Sequence, residues 1–391
     1  MIREADRRII TYDVVRALAM LLVVFGHSSY YSVMTPFGGV DYMGQLISAG
    51  GTNPYIHDRL DYIVVGIYMF HMRVFFALSG AVFYLRFRQG AYRGGITFLQ
   101  KKAQRLIVPF LLVTTFYVLP LKAVAGYWAG DANILRDILL GQYLLLGNSH
   151  LWFLIVMFFA FVILSACVFG SACARTWLCA PHALRVELSV MAILFALLFV
   201  DGAAYRLVTD ILHVNVGNWQ NCLWYAYAIG WGVLWMMIGI LLERLRQRFA
   251  GVSLPMAVPA VLFLVMLAAF CVIYAYETHC VAPDSPLVDE LLRTVLAVLG
   301  VSLCFSFGIW LSRTRAAGCR LIQVLSRDSM GIYLYSDPWN YVILALFASC
   351  FGIMGFGVPK LSVLLVSTRF VVTLAVGWGI TLLLRRFSRV L

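Results

Sequence analysis

The sequence predicts an all-α, polytopic membrane protein of about ten transmembrane helices, with its N- and C-termini in the cytoplasm. Hydrophobic residues make up 62% of the 391 residues and charged residues only 12%, whereas soluble proteins are about half apolar and about a quarter charged. The apolar residues recur in segments along the whole chain, with basic residues clustered between them. We therefore expect a single transmembrane domain, residues 1–391, rather than a soluble domain with an anchor.

Ten apolar segments are each long enough for a membrane-spanning helix, which needs roughly 20 residues. They cover residues 10–32, 62–85, 104–125, 151–170, 187–206, 222–242, 255–276, 291–311, 329–352 and 361–384. The ninth is the weakest, because Ser336, Asp337, Pro338 and Asn340 interrupt it. We expect the first to be a retained helix, since its leading charges run into the apolar segment without a cleavage-site pattern.

The distribution of Lys and Arg orients these helices. With a cytoplasmic N-terminus, 21 of the 30 basic residues lie in the cytoplasmic stretches 1–9, 86–105, 171–187, 243–254, 312–328 and 385–391. Outside loops hold six (Arg59, Lys122, Arg136, Arg206, Arg293 and Lys360), and helices hold three (Arg16, Arg73 and Arg369). A cytoplasmic excess of basic residues is the usual topology signal. The net charge of +12 therefore reflects topology, and we expect no nucleic-acid partner.

The nine cysteines show no paired spacing of the kind that binds metals. Most of them lie in or beside apolar segments, where cysteine packs as a small hydrophobic residue. We therefore predict no metal site.

Three polar residues stand out in the first helix, YDVVRALAMLLVVFGHS: Asp13, Arg16 and His27. An ionisable residue at the centre of a bilayer costs at least ~2.5 kcal/mol, so it normally faces inward and has a partner. Helical spacing places all three on one stripe, with Asp13 and Arg16 as an ion pair and His27 roughly 16 Å further along the axis, towards the outer leaflet. The alternative is that Asp13 and Arg16 form a structural ion pair that stabilises the helix bundle, and that His27 is an ordinary histidine at the membrane interface.

Polar residues also mark the second and third helices. His71 and Arg73 lie two positions apart, so they point in nearly opposite directions and only one can face the bundle while the other reaches for headgroups. Lys101, Lys102 and Arg105 form a basic cluster before the third helix. This cluster either sets topology or binds an anionic ligand from the cytoplasm.

The fourth and ninth helices carry a further group of polar and aromatic residues. His150 and Trp152 begin the fourth helix, in NSHLWFL, although a Trp at this level is also ordinary interfacial composition. The ninth segment contains Ser329, Tyr333, Tyr335, Asp337 and Trp339. That much polarity in a spanning segment indicates a lined cavity rather than lipid contact.

These motifs resemble the acyltransferase-3 family of integral membrane acyltransferases, and in particular its sugar O-acetylase branch. The resemblance spans essentially the whole chain and includes YDVVRALAMLLVVFGHS, FHMRVFFALSG, KKAQRLIVP, HLWFL and SMGIYLYSDPW. In the first motif an Arg precedes a His by eleven positions, as in the family. The chain departs from the family pattern twice. Arg73 replaces a usual Pro, and Ser336-Asp337 stands where many members have a His.

The resemblance implies transfer of an acyl group, usually acetyl from acetyl-CoA, to a hydroxyl of a glycan or lipid-linked sugar. The protein would work in a bacterial cytoplasmic (inner) membrane, among its lipids and without a bound cofactor. His27 would be the general base, because an imidazole titrates near ambient pH. Arg16 would hold the donor or position the helix, with Asp13 as its partner. Lys101, Lys102 and Arg105 would bind the donor. His71, Arg73, His150, Trp152, Tyr333 and Asp337 would contact the substrate.

Two other functions also fit a polar bundle interior. A transporter or flippase for a lipid-linked glycan needs a polar cavity, but the sequence shows no inverted repeat and only one interrupted helix. A component of a polysaccharide-export complex would tolerate replacement of Asp13, Arg16 and His27 apart from a loss of stability. Consumption of acetyl-CoA distinguishes the acyltransferase from both.

Overall fold

The computed structural model describes most of the apolar segments and few of the long loops. The described residues are 10–28, 41–42, 45–46, 62–92, 94–124, 133–144, 150–181, 183–211, 220–249, 255–280, 285–351 and 359–387. The predicted cytoplasmic stretch 1–9 and most of the predicted outside loops 33–61 and 207–221 lie outside them.

The described residues are almost entirely helical. The helices are α1 (Ile10–Ser28), α2 (62–68), α3 (His71–Arg88), α4 (Gly95–Val113), α5 (Leu119–Val124), α6 (Ile134–Arg136), α7 (Trp152–Gly170), α8 (Ala172–Cys179), α9 (Leu184–Arg206), α10 (Gln220–Arg248), α11 (Ala257–Cys280), α12 (Pro286–Ser312), α13 (Arg320–Ser336), α14 (Pro338–Phe351) and α15 (Pro359–Phe387). Three π-helical segments, Thr114–Val118, Asp137–Tyr143 and Leu207–Ile211, and a 3₁₀ turn, Arg315–Gly318, join them. One antiparallel pair, β1 (Asp41–Tyr42) with β2 (Gln45–Leu46), is the whole of the described sheet.

Nine helical segments of the described residues are long and apolar enough to cross a membrane. Each overlaps one of the segments predicted from the sequence, which confirms the all-α, polytopic fold class. The tenth predicted segment, 329–352, is divided between α13 and α14, which meet at Asp337. Pro338 accounts for the break, because proline lacks a backbone N–H and disfavours a helical conformation in the residue before it. The cytoplasmic location of both termini stays a prediction.

The third spanning segment is longer than predicted and runs from Gly95 to Val124 through a π-helical turn. Lys101, Lys102 and Arg105 therefore lie within α4 rather than before the helix. The prediction that Lys122 belongs to an outside loop is wrong, since it lies in α5 with its side chain buried. Its ammonium donates to Gln142 Oε1 at 3.2 Å and lies over the Tyr341 ring at 5.1 Å. These contacts stabilise the charge within the protein.

The contacts divide the chain into two compact units, each assembled from separate stretches of sequence. The first contains Met1–Arg16, Met69–Pro109 and Trp152–Cys319, and the second contains Ala17–Tyr68, Phe110–Leu151 and Arg320–Leu391. Helix α1 contributes its first seven residues to the first unit and the rest to the second. The single-domain organisation stays a prediction.

Close packing of α3 against α10 organises the first unit. Gly80 faces the backbone of Met236, and Gly239 faces the backbone of Ala77 so closely that a Cβ at either glycine would collide with a carbonyl oxygen. Small residues allow this close approach between membrane helices. Phe76 fills the space beside this contact, with its ring edge-on to Trp231. Large side chains therefore cannot replace either glycine without moving the helices apart.

The second unit is built around α13, α14, α15 and the later part of α1. Gly377 on α15 lies against α13, where an added Cβ would come within 3.2 Å of the Ser336 backbone nitrogen. Midway along α13, buried Asp328 pairs with Arg327 and with Arg385 of α15. These contacts fix α13 against α15 and so position the break at Asp337.

Candidate functional site

A buried pair of a histidine and an aspartate forms the centre of the second unit. His27 lies in the last turn of α1, and Asp337 lies at the break between α13 and α14. His27 Nδ1 is 2.7 Å from Asp337 Oδ1, and the two side chains are 15% and 10% exposed. The sequence predicted both residues for the site, but it gave no sign that they would be partners, since they are 310 positions apart.

The pair is arranged as an oriented imidazole base. A carboxylate next to Nδ1 favours the tautomer with its proton on Nδ1, which leaves the lone pair on Nε2. The same carboxylate stabilises the imidazolium that forms when Nε2 accepts a proton. The arrangement of His27 and Asp337 is therefore suited to general-base chemistry at a hydroxyl group.

A second imidazole faces the other oxygen of the same carboxylate. His150 Nδ1 is 3.3 Å from Asp337 Oδ2, and the His150 side chain is 3% exposed. The rings of His27 and His150 lie edge to face, with centroids 6.4 Å apart. Burial lowers the pKa of His150 to about 4, against the opposing attraction of Asp337. His150 is therefore neutral at physiological pH.

Tyr333 and an Arg–Asn pair surround this cluster. The Tyr333 hydroxyl donates to the backbone carbonyl of His150. Arg369 of α15 donates through Nη2 to the carbonyl oxygen of His27 at 3.1 Å and through Nε to Asn340 Oδ1 at 3.0 Å. Asn340 Nδ2 in turn donates to Asp337 Oδ1 at 3.3 Å. Arg369 thus holds the end of α1 and, through Asn340, the carboxylate.

The contact between Arg369 and the His27 carbonyl has a simple local reason. The last four carbonyl groups of a helix have no partner within the helix, so another group must satisfy them when they are buried. From the sequence alone, Arg369 is only one of three arginines within helices. Its position inside an apolar segment was the available signal, because such a charge is normally turned inward and paired.

A third set of polar contacts joins the π-helical segment Thr114–Val118 to α13 and α14. Trp339 Nε1 donates to the Tyr117 hydroxyl at 2.7 Å, and that hydroxyl donates to the Tyr335 carbonyl at 2.8 Å. π-helical turns inside α-helices occur frequently at functional sites. Sequence reasoning missed Tyr117, because neither hydrophobicity nor charge distinguishes it from its neighbours.

Asp13, Arg16, His71 and Arg73 belong to the first unit. Asp13 Oδ1 and Arg16 Nη1 are 3.9 Å apart, and the Arg16 side chain is one-third exposed. His71 is buried. Arg73 donates to the Met69 carbonyl and lies 5.3 Å from the centre of the Trp231 ring. Arg73, where the family often has proline, is therefore held within the protein by aromatic and backbone contacts.

The remaining predicted residues also belong to the first unit. Lys101 and Arg105 are exposed on α4. Lys102 turns towards aromatic rings, with its ammonium 3.9 Å from the centre of Phe161. Trp152 packs edge-on against Trp224, with ring centres 4.9 Å apart.

Among the twelve residues predicted for the site, the second unit therefore brings together His27, His150, Tyr333 and Asp337. Among the described residues, no group of three or more His, Cys, Asp or Glu side chains is placed so that it could hold a metal ion.

The comparisons with known proteins identify the family. A family model described as an acyltransferase domain, that of the acyltransferase-3 family, matches residues 9–382. No curated protein and no solved structure matches the chain at a significant level. The family match covers nearly the whole sequence, including every helix of the His27 cluster. The chain therefore belongs to the acyltransferase-3 family and is an integral membrane acyltransferase, which requires an acyl donor, an acceptor and membrane lipids.

Proposed function

We propose that this acyltransferase transfers an acetyl group from acetyl-CoA to a hydroxyl of a cell-surface glycan or lipid-linked sugar, with His27 as the general base. One observation carries the proposal: Asp337 Oδ1 lies 2.7 Å from His27 Nδ1 inside a largely buried cluster. A base of this kind suits an alcohol acceptor, because a sugar hydroxyl must lose its proton as it attacks a thioester.

In the proposed reaction, His27 Nε2 accepts the proton of the acceptor hydroxyl. At the same time, the oxygen of that hydroxyl attacks the carbonyl carbon of the thioester. A new C–O bond forms, the C–S bond breaks, and the thiolate of CoA takes up the proton from the imidazolium. Asp337 remains ionised and stabilises the imidazolium between these two steps. This assigns Asp337 an orienting role beside the substrate contact expected from the sequence.

The donor and the location of the enzyme are proposed from the sequence. Lys101, Lys102 and Arg105 would bind the phosphates of acetyl-CoA, because cationic side chains bind phosphate well. Arg16 and Asp13 would support the first helix. The restriction to acetyl, the glycan acceptor and the bacterial cytoplasmic membrane follow from the resemblance of the motifs to the sugar O-acetylase branch.

The test compares two histidine variants in cells that lack the gene. His27→Ala removes the proposed base, and His279→Ala removes an exposed histidine of α11 as a matched control. Mass spectrometry of envelope glycans measures acetyl esters, and immunoblotting of membranes measures the amount of inserted protein. We expect His279→Ala to restore acetylation and His27→Ala to leave none, at similar membrane levels. Acetylation by the His27→Ala protein would exclude His27 as the base.

A second measurement addresses the transporter alternative. Membranes with the wild-type protein are given radiolabelled acetyl-CoA, and label in the glycan fraction is compared with that in membranes without the protein. An acetyltransferase transfers the label, whereas a transporter does not use the donor. Glycan acetylation in cells without transfer of this label in membranes would contradict acetyl-CoA as the donor.

A further inference from the structure

His150 is buried where a substrate cannot reach it without a rearrangement. Its side chain is 3% exposed, and both of its ring nitrogens are covered without an aligned hydrogen-bond partner among the described residues. The Tyr333 hydroxyl holds its backbone carbonyl, and the Tyr333 ring lies edge-on at 5.9 Å. The position of the imidazole is therefore fixed by the protein.

The charged groups around His150 favour one arrangement of its protons. Asp337 is the carboxylate beside it and the Leu334 backbone is a hydrogen-bonding neighbour, and both favour the protonated ring, whereas the charges of His27 and Lys122 disfavour it. The imidazole is neutral at physiological pH, since burial lowers its pKa to about 4. Nδ1 is 3.3 Å from the carboxylate oxygen, so the negative charge of Asp337 favours the tautomer of the neutral ring that carries its proton on Nδ1.

The two oxygens of Asp337 have different neighbours. Oδ1 interacts with His27 Nδ1 at 2.7 Å and with Asn340 Nδ2 at 3.3 Å. Oδ2 faces His150 Nδ1 at 3.3 Å. A buried carboxylate is costly unless polar groups surround both oxygens. Without a donor beside Oδ2, the carboxylate would gain by rotating towards other groups, and Oδ1 would leave His27.

We propose that His150 is a positioning residue for acyl transfer, which presents its Nδ1–H to Asp337 Oδ2 and so keeps Oδ1 on His27 Nδ1. The inference rests on the proposed role of His27 as the base, and it differs from the acceptor contact expected for His150 from the sequence. The two roles predict different kinetics. A positioning residue changes the rate of the chemical step, whereas an acceptor contact changes the apparent KM for the acceptor.

Three substitutions test the proposal. His150→Asn keeps an N–H donor near the position of Nδ1, and His150→Gln places its amide near the position of Nε2. His150→Leu removes both donors and retains an apolar side chain. Each variant is produced in cells that lack the gene. Their membranes are given radiolabelled acetyl-CoA and increasing amounts of the glycan fraction extracted from cells that lack the gene. Transfer of label to this acceptor is measured between about pH 5 and 9, around the range in which imidazole titrates.

We expect His150→Leu to lower the maximal rate per inserted molecule by about tenfold to a hundredfold, which is part of the roughly hundredfold to ten-thousandfold that general-base catalysis contributes. The pH profile of the rate should also differ from that of the wild type, because the contact between Asp337 Oδ1 and His27 Nδ1 is weakened. The apparent KM for the acceptor should not change. His150→Asn should keep most of the rate, and His150→Gln should behave like His150→Leu.

Three results would overturn the proposal. An increased acceptor KM with an unchanged maximal rate would assign His150 to acceptor binding. An unchanged pH profile in His150→Leu would show that the residue does not act through Asp337 and His27. Equal rates for His150→Asn and His150→Gln would show that the donor position has no effect, and this pair decides the matter if the Leu variant does not insert. Full activity of His27→Ala would instead reject the proposed function, whatever the His150 variants do.

Discussion

The buried carboxylates of the two compact units differ in their partners. In the first unit, Glu187 pairs with the Arg244 guanidinium at 2.7 Å, and both side chains are almost fully buried. In the second unit, Asp337 lies between the imidazoles of His27 and His150. A guanidinium stays protonated under all ordinary conditions, whereas an imidazole changes its protonation near neutral pH. The first arrangement can hold helices together, and the second can also move a proton.

The surroundings of Arg244 agree with a structural role. Its guanidinium donates to the carbonyls of Trp177 and Leu178 at the end of α8, and it lies over the rings of Trp177 and Tyr84. The residue thus links α8, α9 and α10, and these contacts include no imidazole. A buried charge in a membrane protein therefore indicates chemistry only when its partner can exchange a proton.

Asp328 shows that the partner matters more than the unit. It lies in the second unit, on the same helix that ends before Asp337, but it pairs with Arg327 and Arg385 and accepts from Trp378 Nε1. Those guanidinium charges keep the pKa of Asp328 low despite burial, which on its own raises it. Asp328 and Asp337 therefore form a matched pair for experiments.

The largest expected effect separates these two aspartates. Asp337→Asn should lower acetyl transfer per inserted molecule by about a thousandfold or more, because an amide cannot stabilise the imidazolium and favours the wrong tautomer of His27. Asp328→Asn should reduce the amount of folded protein without lowering the rate per molecule. Radiolabel transfer from acetyl-CoA, normalised to inserted protein, measures both. If Asp337→Asn and Asp328→Asn lost the same share of the normalised rate, the type of partner, guanidinium or imidazole, would not decide which aspartate acts in the reaction.

The next effect concerns stability in the first unit. Glu187→Gln or Arg244→Met alone should destabilise the protein by roughly 3–5 kcal/mol. The first variant leaves the buried charge of Arg244 without its counter-charge, and the second leaves that of Glu187. The double variant should recover part of this loss. Thermal unfolding of the purified protein in detergent measures the effect, and the normalised transfer rate should stay near that of the wild type. A large loss of normalised rate with unchanged unfolding would contradict the structural role.

Much of the fold could be predicted from the sequence because it depends on local properties. The length of apolar segments predicted the nine spans. The ninth predicted segment, 329–352, was expected to be one interrupted helix, and the structure divides it into α13 and α14 at the interrupting residues. The site was less predictable because its contacts join distant positions. His27 and Asp337 both stood out as polar residues in apolar segments, but no periodicity relates residues so far apart. The error at Lys122 has a similar cause, since its Gln142 and Tyr341 partners come from other segments.

Arg369 provides a third, intermediate effect. Arg369→Lys keeps the charge but cannot reach the His27 carbonyl and Asn340 Oδ1 together, because an ammonium lacks the planar fork of a guanidinium. We expect the normalised rate to fall by about tenfold, a fraction of the roughly hundredfold or more that general-base catalysis contributes. Arg385→Lys on the same helix is the control and should leave the rate unchanged. A rate for Arg369→Lys equal to that of the control would show that Arg369 does not position the pair.

The smallest effect concerns the exposed basic residues of α4. Lys101→Ala combined with Arg105→Ala should raise the apparent KM for acetyl-CoA by about fivefold at low salt, since exposed charge contacts contribute no more than about 1 kcal/mol each. The difference from wild type should shrink as salt screens the charges. The control is Arg185→Ala, an exposed arginine on α9, which should leave the KM unchanged. Because this effect acts on donor binding alone, the maximal rate and the pH profile set by the Asp337–His27 pair should stay the same. A fall in maximal rate without a change in KM would place Lys101 and Arg105 outside donor binding.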